Sequence, residues 1–414
     1  MTETARGLAR LGGPIWLDLT RLLTRVGRGA LSGIDRVEVA YLRHLLPLDD
    51  ARFLVRTTRG FLLLDRGGAE HLLAMALGDV PLGEADTFSR MTLRGGRPRH
   101  KAEAALRPLA VDRSTGGGLA RMVARHQPAL YLNTGHSNMV AQTFRAFRDA
   151  TVAVLVHDLI PVLHADLVPS NQPAVFAEKI RAVEAHADVI LANSAATEAD
   201  IVAWRKGKDG PTIVTARLGI ELELGSAVQT EPGRYVMIGT VEPRKNQTVV
   251  LEAWAKLAEE MPEQDLPQLH IIGAAGWQAP QILMAIANHP LRASAIHYHG
   301  PLSDAETAAH LAKASGLLYP TLAEGFGLPP FEALAVGARP IVSDLPVLRD
   351  GLGDHAIYVD PTDVYAWIET IKQHFAGSVP VPDTEFALPT WAEHFDLVAA
   401  GLAPVVAGSE QEGR

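Results

Sequence analysis

Short apolar runs alternate with longer amphipathic stretches along most of the chain. PIWLDLT precedes IDRVEVAYLRHLL, ALYLNTG precedes a stretch ending FRAFRDA, and ATVAVLVHDLIP precedes AVFAEKIRAVEAHA. DVILANS then leads into ATEADIVAW. After a break the pattern resumes with RYVMIGT before QTVVLEAWAKLAEE, QLHIIGA before QILMAIANH, and IHYHGPL before AETAAHLAKA. GLLYPTL leads to FEALAVG, and RPIVSDL to PVLRD. Strand-like runs alternating with helical ones predict an α/β fold with helices over parallel sheets. Runs such as VAVLV and YVMI are continuously apolar, as strands buried on both faces are.

The break, ELELGSAVQTEPG, is polar and aperiodic and reads as a linker. It divides the chain into a first domain over 1–222, a linker over 223–233 and a second domain over 234–390. A terminal helix over 391–405, carrying Trp391 as a packing residue, returns toward the first domain, and 406–414 forms a frayed tail. Residues 78–118, with RMTLRGGRPRH and STGGG, read as a mobile insertion in the first domain. The expected picture is two doubly wound domains facing a central cleft.

A chain of 414 residues suits two domains. With 47% hydrophobic and 21% charged residues it is globular. It has no cysteine, which excludes disulfides, thiolate metal sites and cysteine nucleophiles. A net charge of −9 disfavours nucleic acid as a partner. Arginines crowd the first third (Arg21, Arg25, Arg28, Arg36, Arg43, then Arg90, Arg94, Arg97 and Arg99). They read either as a solvated face or as an attraction to an anionic partner, including peripheral contact with a membrane surface. No apolar run reaches the roughly 20 residues that span a bilayer. The opening MTETARGLARLGG lacks the apolar segment of a secretory signal. The expected location is cytoplasmic.

In open α/β sheets ligands collect beyond the carboxyl ends of strands. RYVMIGT is followed by VEPRKN, with Arg244 and Lys245 adjacent and Asn246 placed to cap the next helix. Two cations beside a helix start suit a diphosphate; the plainer reading is a pair of surface charges. GLLYPTL is followed by AEGFGLPPFEAL, with a helix expected to start near Pro329 or Pro330. The loop Gly325–Leu328 then offers backbone N–H groups, and Glu324 and Glu332 flank it. Each acid has a plain alternative, Glu332 as a favourable helix-start charge and Glu324 as a loop acid in water. Together they could accept hydrogen bonds from two sugars on either side of a phosphate.

EGFGLPPFEAL resembles the paired-glutamate signature of retaining glycosyltransferases with the two-domain GT-B fold, in particular the family 4, mannosyltransferase-like group 1 enzymes. VMIGTVEPRKNQTVVLEAWAKL and HYHGPLSDAETAAHLAKASGLLYPTLAEGFGLPPFEALAVGARPIVSDLPVLRD resemble its donor-binding core, and GDHAIYVDPTD the stretch that follows. In the first half VHDLIP, LSGIDRVEVAYLRHL and ANSAATEADI resemble segments of the same enzymes. The resemblance implies two Rossmann-like domains and hexose transfer, with mannose suggested by VHDLIP, from a GDP- or UDP-linked sugar. The acceptor would be a saccharide or lipid-linked saccharide of surface polysaccharide synthesis. It implies no cofactor beyond the donor and no metal.

Residue by residue, it implies that Arg244 and Lys245 neutralise the donor diphosphate and that Glu332 holds the ribose hydroxyls. Glu324 would contact the transferred sugar, beside the backbone of Gly325, Phe326, Gly327 and Leu328. Gly33 would let its loop approach donor or acceptor, Gly239 would let its loop approach the donor, and His157 would reach the reacting sugar across the cleft. GIDRVEV departs from the plainer glycine-rich loop of many relatives. Asp158 would orient His157 or cap a turn, and His136 would be structural or touch the acceptor. The competing readings are a silent GT-B scaffold subunit and a sugar-nucleotide epimerase. A dinucleotide dehydrogenase is disfavoured, because no G-x-G-x-x-G joins a strand to a helix.

Overall fold

The structure is a computed structural model describing residues 7–86, 97–222, 229–380, 382 and 384–412. Among these residues two sheets form. The first contains β1 (Ile15–Asp18), β2 (Arg52–Thr57), β3 (Gly60–Leu64), β4 (Ala110–Thr115), β5 (Leu130–Asn133), β6 (Thr151–Val156), β7 (Val189–Ala192) and β8 (Thr212–Thr215). Their spatial order is β4-β3-β2-β1-β5-β6-β7-β8. The second contains β9 (Glu231–Ile238), β10 (Gln268–Ile272), β11 (Ile296–Gly300), β12 (Ala314–Tyr319), β13 (Arg339–Ser343) and β14 (Ile357–Val359), ordered β11-β10-β9-β12-β13-β14.

The apolar runs are the central strands. TVAVLV of β6 and VILA of β7 are buried at every position, because helices cover both faces. The second sheet is parallel throughout. The first is mixed: β3 runs antiparallel to β2 and β4. The hairpin RFLVRTTRGFLLL, absent from the sequence reading, produces this reversal. Residues 78–118 also differ from the expected insertion. They include a helix, Pro98–Leu106, and β4 itself, which closes one sheet edge; 87–96 lie outside the described residues.

Two boundaries shift. Glu231–Gly233 belong to β9, not to a linker, and 223–228 lie outside the described residues. The last helix runs Trp391–Glu412, past the expected stop at 405, so most of the expected tail is helical and only 413–414 lie outside the described residues. This helix packs on the first domain. Tyr41 Oη lies 2.8 Å from His394 Nε2, and His394 Nδ1 lies 3.0 Å from the Arg217 carbonyl. Trp391 stacks on Phe395, and Gly401 lies where a Cβ would meet Val214 at 2.5 Å.

In each sheet one interior strand is flanked by the two strands at which the chain order reverses. These are β1 between β2 and β5, and β9 between β10 and β12. Ligand crevices open at such switch points, beyond the strand ends. The loops after β9 and β12 meet there: the Leu322 amide donates to the Arg244 carbonyl at 2.8 Å.

Candidate functional site at the interdomain cleft

After β9 the chain passes Gly239 and enters a 3-10 turn, Pro243–Lys245. Gly239 sits against the Lys245 side chain, 3.4 Å from its Cε to a would-be Cβ. Asn246 does not cap the following helix as expected. It adopts φ 55°, and its amide donates to the Pro361 carbonyl at 2.8 Å. The side chain ties two loops together and leaves the first N–H groups of helix Gln247–Glu260 without a side-chain cap.

After β12 the chain turns through Glu324 to Gly327. The helix runs Leu328–Ala335, so Leu328 is its first residue and not part of the loop. Gly327, the residue before it, has φ 85°, a conformation that a side chain disfavours. Pro329 and Pro330 carry no N–H, so of the first four helical residues only Leu328 and Phe331 offer donors. Phe326 turns inward and stacks on Phe331 at 4.8 Å, contributing its side chain to the core and its backbone to the loop.

Glu324 is the hub of this region. Lys245 Nζ donates to its Oε2 at 2.5 Å, Tyr319 Oη at 2.7 Å and Arg244 Nη1 at 3.3 Å. Arg244 also donates to Glu242 Oε1 and to the Ala323 carbonyl, and Lys245 also donates to Tyr319 Oη. Burial works against the Glu324 charge, but Lys245 and then Arg244 outweigh it and hold the carboxyl down to about 2. Burial lowers Lys245, opposed by Glu324. The named bonds occupy four of the five guanidinium N–H groups of Arg244 and two of the three on Lys245. One N–H of each makes none of these bonds.

The first domain closes against this loop. A Cβ on Gly325 would lie 2.1 Å from the His157 carbonyl oxygen and 2.9 Å from Asp158 Cβ. Ser194 Oγ donates to the Gly325 carbonyl at 2.8 Å, and Asn193 Nδ2 donates to the His157 carbonyl at 3.0 Å. His157 itself is buried, with Nε2 2.7 Å from the Thr134 carbonyl. Burial pushes its imidazole down to about 4, so it is neutral at pH 7. Asp158 caps a turn, accepting from the Ile160 amide at 3.0 Å; burial raises it to about 6, against the pull of Arg244. His136 is buried with Nε2 3.1 Å from the Leu155 carbonyl.

Glu332 is separate from this cluster. Its Oε1 accepts from Arg36 Nη1 of the first domain at 2.5 Å. Both residues line an interdomain cavity of about 480 Å³, with Leu31 and Leu328 also in its walls. Gly33 lies beside it, 3.6 Å from Leu328 Cδ1 to a would-be Cβ. The expected residues therefore divide into a cation–carboxylate cluster (Arg244, Lys245, Glu324) and a cavity rim (Glu332, Leu328, Gly33). His157 and Gly325 form the seam between domains.

Several residues escaped the sequence reading. Tyr319 is the last residue of β12, and only its strand-end position hinted at a role. Ser194 lies in a stretch noted solely for its likeness to relatives. By sequence, Arg36 belongs with the solvated or anion-seeking arginines. The structure corrects that reading: Arg21 and Arg25 pair with buried Asp35 at 2.6 and 2.9 Å, and Arg36 reaches Glu332. Arg90 and Arg94 lie outside the described residues. The sequence reading named no metal ligands, yet His270, His299 and His310 converge within the second domain; H-Y-H over 297–299 was the available signal.

Residues 232–376 match the profile of the family described as Glycosyl transferases group 1. Over these residues the second domain is similar to the group 1 glycosyltransferases. Among curated relatives, the serotype-specific mannosyltransferase WbdA of Escherichia coli is 24% identical over 287 residues, covering 64% of this chain and 35% of that protein. The chain thus spans about a third of that relative's length. The O-antigen chain mannosyltransferase B of Escherichia coli is 33% identical over 147 residues, covering 36% of this chain and 37% of the relative. Among solved structures, Anabaena HepE in complex with UDP-glucose superimposes with a TM-score of 0.58 at 14% identity, over 97% of this chain and 100% of that one. The second domain and the mixed-sheet domain before it together form the GT-B fold. No helix among the described residues is long and apolar enough to cross a membrane.

Proposed function

We propose that the protein is a retaining glycosyltransferase that moves a hexose, with mannose favoured, from a nucleotide-sugar to a saccharide or lipid-linked saccharide. The observation that carries this reading is the arrangement of Arg244 and Lys245. They converge at the β9/β12 switch point, each with a donor to spare, next to a carboxylate held ionised. Transfer breaks the bond between the anomeric carbon and the diphosphate and forms one to an acceptor hydroxyl. The departing diphosphate gains negative charge, and preorganised cations in a partly dehydrated site stabilise it. Glu332, on the cavity wall, would accept from ribose hydroxyls, and Glu324 from the sugar. His157, neutral, would act by hydrogen bonding or positioning and not as an imidazolium. The tight seam at Gly325 would keep water from the reacting carbon.

The family 4 character of the domain and the mannosyltransferase names of its relatives support hexose transfer in polysaccharide synthesis. The donor base remains GDP or UDP in this reading, no metal is required at the donor diphosphate, and the enzyme would work at the cytoplasmic face of a membrane. The test is thermal stabilisation by GDP, UDP and their hexose conjugates, followed by nucleotide release with oligosaccharide acceptors. One nucleotide should raise the melting temperature, and Arg244→Ala and Glu332→Ala should abolish the shift. His157→Ala should keep the shift and lose turnover. Absence of stabilisation by every nucleotide, with no release, would refute the proposal.

A further inference from the structure

On the edge of the second sheet away from the cleft loops, histidines gather on one face. His270 lies on β10 and pairs in register with His297 of the edge strand β11. His299 follows two residues on and so points to the same side. Helix Asp304–Ala312 contributes His310. The rings of His270 and His299 lie parallel at 5.2 Å, and the His310 ring is tilted against both, 4.4 Å from His299 and 5.6 Å from His270. One nitrogen from each of His270, His299 and His310 lies within 4.8 Å of the others.

We propose that His270, His299 and His310 bind one divalent ion of the zinc class, linking helix Asp304–Ala312 to the sheet edge. Imidazole nitrogen is a common ligand of zinc and also suits copper and nickel, and three such ligands leave a fourth tetrahedral position for water. Nitrogens bonded at about 2.0–2.1 Å around a tetrahedral ion stand roughly 3.4 Å apart. His270 Nδ1 and His299 Nε2 already lie 2.9 Å apart, and side-chain rotation of His310 would supply the remainder. Burial holds all three imidazoles below their ordinary basicity, so their lone pairs are unprotonated at neutral pH. Arg234 touches the cluster, its Nη2 2.9 Å from His310 Nδ1, and its charge is matched by Glu231 at 2.7 Å. His297 is outside the ligand set: the converging nitrogens are those of His270, His299 and His310, and its own Nε2 turns to Gln268 Oε1 at 2.8 Å.

This site shares no residue with the nucleotide reading, although helix Asp304–Ala312, which carries His310, also lines the interdomain cavity through Asp304, Thr307, Ala308 and Leu311. It is tested with the tag-free full chain, stripped with chelator and titrated with Co²⁺ by visible absorption and with Zn²⁺ by calorimetry. The expected result is one equivalent bound, with the intense visible absorption of a tetrahedral cobalt centre. His299→Ala and His310→Ala should each weaken binding by more than the roughly 10–100-fold that loss of a supporting residue costs. His297→Ala should bind as the parent does. Should His270→Ala fail to fold, the two other variants still decide the matter. No saturable Co²⁺ or Zn²⁺ binding, or binding unchanged in the His299→Ala, His310→Ala double variant, would overturn the proposal and leave a hydrogen-bonded ring cluster.

Discussion

Arg36 of the first domain donates to the buried carboxylate of Glu332 in the second, Nη1 to Oε1, across 296 residues of sequence. The contact occupies one oxygen of a group that the proposed function assigns to the ribose. It also fills a position that would otherwise hold an unpaired buried charge. A ribose and Arg36 would therefore compete for the same acceptor.

The Arg36→Ala variant should expose that competition. Removing one partner of a largely buried pair should destabilise the protein by about 2–3 kcal/mol. A nucleotide that satisfies Glu332 should restore much of the loss, so its thermal shift should be larger in Arg36→Ala than in the parent. Equal shifts in the two proteins, measured by scanning fluorimetry at one nucleotide concentration, would show that the ribose does not meet Glu332 Oε1.

Gly325 and Gly33 should respond oppositely to alanine. At Gly325 the added Cβ meets a carbonyl oxygen of the other domain at 2.1 Å, and backbone cannot move aside as a side chain can. Gly325→Ala should cost about 3 kcal/mol or force the domains apart, which denaturant titration and small-angle scattering would reveal. Gly33 is the first residue of a helix, with only Leu328 Cδ1 nearby at 3.6 Å. Gly33→Ala should be neutral or stabilising by roughly 0.5 kcal/mol. A fall in nucleotide affinity in that variant then reports ligand approach alone, and unchanged affinity would remove Gly33 from the site.

Glu324 should govern acid stability. Its carboxyl sits at about 2 in the folded chain, against 4.5 for an ordinary glutamate. The unfolded chain therefore binds the extra proton between those values, and folding is favoured as pH rises through them. The contribution, about 3 kcal/mol, is complete above roughly pH 4.5 and fades as pH falls toward 2. Glu324→Gln should be destabilised by a similar amount at pH 6, since it leaves Lys245 buried without its counter-charge. The gap between parent and variant should narrow between pH 5 and 3 in urea titrations; a constant gap would refute the assignment. Taking the difference removes the parallel contribution of His157, whereas Asp158, which the Glu324 charge helps to raise, titrates lower in the variant.

Much of this protein is set locally. Continuous apolar runs such as TVAVLV can only be strands covered on both sides, and the helical stretches between them force parallel pairing and a doubly wound order. The GT-B character, and the clustering of Arg244, Lys245 and Glu324 near strand ends, were legible because strand–loop–helix units put loop residues at the ligand-bearing edge. The hairpin β2–β3 was missed because its apolar run carries no strong turn signal beyond Gly60. The end of the last helix was misplaced because its polar final residues resemble a tail. What the sequence could not determine is which partners the charges choose. Arg36 finding Glu332, Tyr319 joining Lys245 and Glu324, and three histidines from two strands and a helix facing one another all depend on long-range closure. Side-chain reach is a few ångströms, and the chain separations run up to 74 residues for Lys245 and Tyr319 and 296 for Arg36 and Glu332. Only the packing of two domains, and of helix on sheet, brings such groups within that reach.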